Sequence, residues 1–232
     1  LVELYAFVGD VLAFYQDNQA RESRIATSTQ RKNLIALTKL LGFRPAGAKA
    51  ATVDAVFSLA AAPIAAVTLR KGTRVRTASV TEPAVFQLLA DLIVPAGAAS
   101  PIVTGSVEHS ESQEELFASN GLPNQEVALP ATPFLDGSAT VTAGNGDYLE
   151  VQNFLGSTAT DRHFAVVIDQ NDRAAILFGN GVNGTIPSGT ITVRYKSGGG
   201  AKGNVNAGTL QKLDGPLTDE NGSPVTVSVT NP

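Results

Sequence analysis

Three glycines, Gly179, Gly181 and Gly184, form a literal G-x-G-x-x-G directly after the apolar run Ala174–Phe178. A turn of this spacing cradles a dinucleotide pyrophosphate when it opens a helix whose N-terminal amides face the phosphates. Here the glycines lead instead into Thr185-Ile186-Pro187-Ser188-Gly189 and then the alternating, β-branched Thr190–Tyr195. That pattern predicts strand, glycine-rich loop and strand in a β-hairpin. No acidic residue follows in a βαβ setting, so the dinucleotide reading fails. The second glycine cluster, Gly198-Gly199-Gly200-Ala201-Lys202-Gly203, fails as a P-loop, because Lys202 lacks a Gly before it and a Ser or Thr after it.

The other chemistry-bearing groups are few. His109 lies in Glu108-His109-Ser110-Glu111, a set that could serve metal binding or acid–base work if partners converged, and His163 is the one other imidazole. The plainer reading of both is a polar strand end. Asp169-Gln170-Asn171-Asp172-Arg173 opens like a calcium loop, but Arg173, Ala174 and Asn180 occupy positions that need an acid or amide, a Gly and a Glu. It predicts a turn. No G-x-S-x-G occurs, and Glu114-Glu115 reads as a solvated pair. No catalytic, cofactor-binding or metal residue is therefore assigned, and an enzyme is not expected.

The 232 residues are 43% hydrophobic and 16% charged, enough for a packed core in one large or two small domains. Cys is absent, which excludes disulfides and thiolate chemistry. Met is absent too, so the expectation is a processed or partial chain. The N-terminal stretch is interrupted by Glu3, Asp10 and Asp17, and neither a signal peptide nor a membrane span is expected. The net charge of -4 and the dispersed aromatics lack the clustered basic footprint of a nucleic-acid binder. Neither membrane nor nucleic acid is an expected partner.

Leu4, Phe7, Val8, Val11, Leu12 and Tyr15 recur at helical spacing. A second helix is announced by Thr27 and Gln30 as a capping box, runs through Leu34, Leu37, Leu40 and Leu41, and stops at Gly42 and Pro45. Beyond it, Thr52–Leu59, Ala66–Leu69, Thr73–Thr77, Val85–Val94, Ile102–Glu108, Leu149–Phe154, Phe164–Ile168, Ala174–Phe178, Thr190–Lys196 and Val225–Val229 read as strands. Residues 111–147, with several Pro and Gly, read as a linker or long loops. The fold class is α+β, an N-terminal helical hairpin followed by mainly antiparallel β domains. The expected division is 1–45 helical hairpin, 46–130 first β domain, 131–213 second β domain with the glycine-rich hairpin, and 214–232 the start of a truncated C-terminal region.

Phe178-Gly179-Asn180-Gly181-Val182-Asn183-Gly184, Pro187-Ser188-Gly189, Tyr195-Lys196-Ser197-Gly198-Gly199-Gly200 and Gly203-Asn204-Val205 together resemble the glycine signature of the baseplate J-like family, wedge proteins of contractile phage tails and related injection systems. Asp161–Phe164, Phe86–Gly97, Leu69–Thr77 and Arg31–Pro45 extend the resemblance across nearly the whole chain. Leu69-Arg70-Lys71-Gly72 departs from the family's apolar-Pro-Ala-Gly, and the chain stops at Pro232 where members continue into a further domain. The resemblance implies a structural wedge subunit in the virion tail baseplate, without cofactors. Its implied partners are a second copy of itself, other wedge proteins, neighbouring wedges and the tail hub, and its implied role includes passing conformational change to the sheath. Leu4, Phe7, Val11 and Leu34 are the expected partner contacts, closure of an intramolecular core being the alternative use of the same stripe. The equivalent part of a bacterial injection system or tailocin fits the same residues. A receptor- or carbohydrate-binding β module is the reading from another class, disfavoured by the absence of Trp and the four Tyr.

Overall fold

The computed structural model describes residues 1–44, 46–79 and 81–232, so the expected helix stop at Pro45 lies outside the described residues. Two helices open the chain, α1 (Val2–Glu22) and α2 (Arg31–Leu40). Of α1 only Glu22 is buried, and Val11 and Asn18 alone are half-buried. The pair is therefore a helix–turn–helix in which α1 stands free, without a core shared between the helices. The C-terminus of α2 follows the expected glycine stop: Gly42 adopts φ 72°, its amide donates to Lys39 O, and the Phe43 amide donates to Thr38 O. These two bonds satisfy carbonyls that the last helical turn leaves open.

The capping box is not formed. Gln30 is the N-cap of α2 without a side-chain cap, and Thr27 Oγ1 donates back to Arg21 O. Glu22 does the capping from the end of α1. Its carboxylate accepts the Thr29 and Gln30 amides, the Ser28 and Thr29 hydroxyls and the Asn33 side-chain amide. An ionised acceptor outcompetes a hydroxyl for these donors and also suits the positive end of α2. Asn33 and then Thr29 hold the Glu22 carboxyl far below its ordinary value of 4.5. A depressed carboxyl contributes stability that is complete above the ordinary value and is lost as pH falls below it toward the folded value. Amide protection at Thr29 and Gln30 is expected to fall below pH 4.5. In Glu22→Gln it should be weak and flat over that range, and hydrogen exchange reads the difference.

Thirteen of the strands fill two sheets. In chain order they are β1 (Thr52–Leu59), β2 (Val67–Leu69), β3 (Arg74–Thr77), β4 (Val85–Leu88), β5 (Leu92–Val94), β6 (Ile102–Glu108), β7 (Ser110–Ala118), β8 (Glu126–Ala128) and β9 (Thr140–Ala143). They continue as β10 (Gly146–Glu150), β11 (His163–Ile168), β12 (Ala174–Phe178), β13 (Thr190–Gly198), β14 (Leu210–Leu213), β15 (Leu217–Thr218), β16 (Pro224–Val225) and β17 (Val227–Thr230). The first sheet has the order β14-β3-β4-β6-β1-β17, the second β7-β13-β9-β10-β11-β12-β8, while β2 with β5 and β15 with β16 form short ribbons. All pairings are antiparallel except β10 with β11. Asn231 draws the two ends of the first sheet together. It takes the Gly208 amide on its carbonyl and the Leu210 amide on Oδ1, and donates from Nδ2 to Asn206 O.

Each sheet has its own core, built from alternation along the strands. In β13, Ile191, Val193 and Tyr195 point inward and pack with Phe134, Phe164, Ile176 and Phe178. In the first sheet Phe57, Val75, Phe86 and Val107 pack with Val67, Leu69, Val94 and Leu210. The cores do not divide at residue 130: Val127 and Leu129 belong to the second, and Leu210 and Val229 to the first. Residues 110–198 form the second sheet as an insertion between β6 and β14. Three further differences follow from long-range pairing. Residues 111–147, read as linker or loops, hold most of β7 together with β8, β9 and the start of β10. Val85–Val94 is two strands, one in the first sheet and one in the β2–β5 ribbon. And β12 and β13 are not hairpin neighbours, since β9, β10 and β11 lie between them.

The two passages between domains run side by side. Ser110 pairs with Gly198, and the Gly199 amide lies 3.2 Å from His109 O and 3.0 Å from His109 Nδ1. A Cβ on Gly198 would fall 2.5 Å from His109 O and one on Gly199 2.4 Å from Lys49 O, both backbone atoms, and both residues have positive φ. Only glycine fits where three segments of backbone meet so closely. An ion pair between Lys196 and Glu108, a Ser112–Gln87 hydrogen bond of 2.9 Å and an Arg74–Glu111 pair of 3.0 Å tie the same junction.

Candidate functional site

The G-x-G-x-x-G loop has no free cradle. The Gly181 amide donates to Gly184 O, the Val182 and Asn183 amides to Asn180 Oδ1, the Gly184 amide to Thr158 O and the Thr185 amide to Asp161 O. Phosphate binding needs such amides pointed outward and unpaired. These are spent within the loop and on the neighbouring carbonyls of Thr158 and Asp161. Gly179 is required for a different reason, since a Cβ there would lie 2.2 Å from Gly184 O. The loop is a crossing between distant strands, closed by backbone-to-backbone contact.

The histidines are likewise structural. His109 stands between the domains with its ring 5.3 Å from that of Phe86, accepts the Gly199 amide at Nδ1, and has its pKa pushed down by burial. Its sequence neighbours diverge: Glu108 pairs with Lys196, and Glu111 with Arg74. His163 Nδ1 lies 2.8 Å from Ser157 Oγ, but Ser157 is buried and the nearby Asp161 carboxylate is taken by the Thr158 amide, so this pair staples the 157–163 loop. Glu114 and Glu115 face opposite sides of β7, with Glu114 paired to Arg194 at 2.7 Å. Asp169 Oδ1 accepts the Asn171 and Arg173 amides, making the expected turn of the β11–β12 hairpin. No group of three or more metal-type ligands forms among the described residues.

What the structure does present is the face of α1. Leu4 is 61% and Phe7 66% exposed, while Val11 and Leu34 are half-buried. The first three share one side of α1, and Leu34 lies apart on α2. The stripe is broader than the spacing first read: Leu1, Tyr5, Val8, Leu12, Phe14 and Tyr15 are exposed as well. At 3.6 residues per turn these positions with Leu4, Phe7 and Val11 sweep roughly 180° of the helix surface. The opposite side carries Glu3, Ala6, Gly9, Asp10, Ala13, Gln16 and Asp17. The 4-7-11-14 spacing would have added Phe14 to the candidates from sequence alone. Contiguous apolar surface of this extent on an aqueous helix is the kind that marks interaction sites in proteins generally.

The same segment carries the likeness to known proteins. Residues 1–40 match the family described as "Bacteriophage baseplate protein, N-terminal domain". No curated protein sequence matches the chain. Among solved structures, a chain of the type VI secretion system TssK-TssF-TssG baseplate subcomplex is 11% identical, with 100% of this chain and 73% of that chain covered at a TM-score of 0.44. The helical N-terminus is thus similar to that of phage baseplate proteins, over α1 and all of α2.

Proposed function

We propose that this chain is a structural wedge subunit of a contractile-tail baseplate, or the equivalent part of a related injection machine, and that it works by contact without catalysis. The observation that carries the reading is the coincidence of two facts about one segment: α1 is the unpartnered apolar element, and it lies within the stretch that matches a baseplate N-terminal domain. Leu4, Phe7 and Val11, with Leu34 at the base, supply the contact to other baseplate proteins. The two β domains supply mass and rigid connections to neighbours. Together they suit a part that relays movement between ring and sheath.

Because α1 up to Arg21 contributes to neither core, charging its apolar face should leave the fold intact. Phe7→Asp with Val11→Asp is expected to abolish incorporation into baseplates while the melting temperature of the isolated chain stays within about 2 °C of wild type. Electron microscopy of tails assembled with each version reads the outcome. Intact baseplates containing the double variant would remove the helix from the assembly mechanism.

A further inference from the structure

We propose that the Asn221-Gly222 step, at the tip of the β15–β16 ribbon, is a site of spontaneous deamidation, and that the change loosens the ribbon from the first domain. A glycine after an asparagine leaves the main-chain nitrogen unshielded by any Cβ. The Gly222 nitrogen, on losing its proton to a solvent base, bonds to Asn221 Cγ, and the side-chain nitrogen takes up a proton and leaves as ammonia. Water then opens the cyclic imide at either carbonyl. The products are aspartate and isoaspartate, the second with an extra carbon in the main chain.

The chain holds five Asn-Gly steps, at Asn120, Asn145, Asn180, Asn183 and Asn221, and the fold treats them unequally. Attack needs an asparagine side chain free to swing onto the next nitrogen. Asn120 Oδ1 is held by the Leu122 amide at 2.9 Å, and Asn180 Oδ1 by the Val182 and Asn183 amides at 2.9 and 2.7 Å. Asn145 Nδ2 donates to Tyr148 Oη at 2.9 Å and to Ile186 O at 3.2 Å. The exposed Asn183 side chain has no such bond among the described residues, but its nucleophile is captive. The Gly184 amide donates across to Thr158 O at 3.0 Å, and Gly184 is wedged between the Gly179 backbone and the Phe154 ring.

Asn221 escapes both restraints. It is exposed, its side chain makes no hydrogen bond among the described residues, and a Cβ on Gly222 would meet nothing within 4 Å. The turn is fixed from Asp219 instead. Its Oδ1 accepts the Asn221 and Ser223 amides at 3.0 and 2.8 Å, and its carbonyl accepts the Gly222 amide at 3.0 Å. That last bond lies within one exposed turn closed by strands of two residues each, so local opening frees the nitrogen without unpacking either core. The product matters because the Glu220 amide donates to Ala66 O at 3.0 Å and ties the tip to the residue before β2. A new carboxylate after Asp219 and Glu220 puts three acids in a row. The longer isoaspartyl main chain also displaces Gly222 and Ser223, whose amides hold the turn closed.

Peptide mapping by mass spectrometry, on the purified chain held at mildly alkaline pH, tests this. The tryptic peptide that begins at Leu213 reports on Asn221 alone, since Asn231 precedes Pro232, whose nitrogen has no proton to lose and cannot attack. Conversion at Asn221 is expected to be at least about tenfold faster than at the other four, the factor that breaking one side-chain hydrogen bond imposes. In strong denaturant, where no fold restrains them, all five should react at similar rates. Glu220 of the converted chain should exchange its amide hydrogen at least about tenfold faster than in the fresh chain. Asn221→Ser should abolish the mass gain of that peptide and leave Glu220 protected. An Asn221 no faster than the others in the native chain, or one still singled out in denaturant, would overturn the assignment. A converted chain with unchanged exchange at Glu220 would overturn the loosening.

Discussion

Gly179→Ala is expected to destabilise the chain by about 3 kcal/mol, a fall of roughly 6–12 °C in melting temperature. The added methyl would sit 2.2 Å from the oxygen, 2.3 Å from the carbon and 2.5 Å from the Cα of Gly184, all backbone. Nothing there can rotate away. Gly184 is itself held by the bond from its amide to Thr158 O and by the Phe154 ring, which a Cβ on it would meet at 3.1 Å. Gly181→Ala in the same loop is the control. Its φ of 85° is strained for alanine, but its Cβ would meet only the flexible end of Ile186 at 3.3 Å. A cost of about 1 kcal/mol is expected there. Equal effects of the two substitutions, measured by thermal or denaturant unfolding, would show that backbone approach does not set the requirement at Gly179.

The second large effect belongs to the first domain. Phe57 is fully buried in the core formed by β1, β3, β4 and β6, and Phe57→Ala should cost about 3–5 kcal/mol through lost burial and the cavity left behind. No buried residue is shared between the two cores, and the strands of the second sheet are contiguous in sequence. Unfolding the first domain therefore takes no strand from the second. Calorimetry of Phe57→Ala is expected to resolve two transitions, with only the lower one displaced from wild type. A single displaced transition would show that the junction couples the cores into one cooperative unit.

What could be read in the sequence was local. The Gly42 stop, the Asp169–Asp172 turn and strands such as β1, β6 and β13 depend on neighbours a few residues away, and their spacing declares them. The missed strand β7 shows the limit. Its sequence, SESQEELFA, has little apolar periodicity because it is an edge strand, held by its ladder to β13 from Ser110 to Ala118 and shielded by carboxylates. The expected β12–β13 hairpin failed for a related reason. Strand, glycine loop and strand are compatible with a hairpin or with a crossing, and only the distant pairings of β9, β10 and β11 decide between them. At the candidate site, helical spacing disclosed the α1 stripe. It could not disclose that α1 lies outside both cores, because an apolar face looks the same in sequence whether its partner is inside the chain or not. The capping by Glu22 was hidden as well, since that acid belongs to the preceding helix.

The paired passage between the domains has a mechanical meaning. A single connecting strand acts as a swivel, free to twist and bend. Here the chain leaves the first sheet at His109 and returns from Gly198, and the two strands stay joined in register from the junction onward. Torque about their common direction must shear the His109–Gly199 contacts and the Lys196–Glu108 pair, so twisting is resisted. The second domain is therefore joined to the first by two strands paired in register and by side-chain ties beside them, so neither strand can twist without the other.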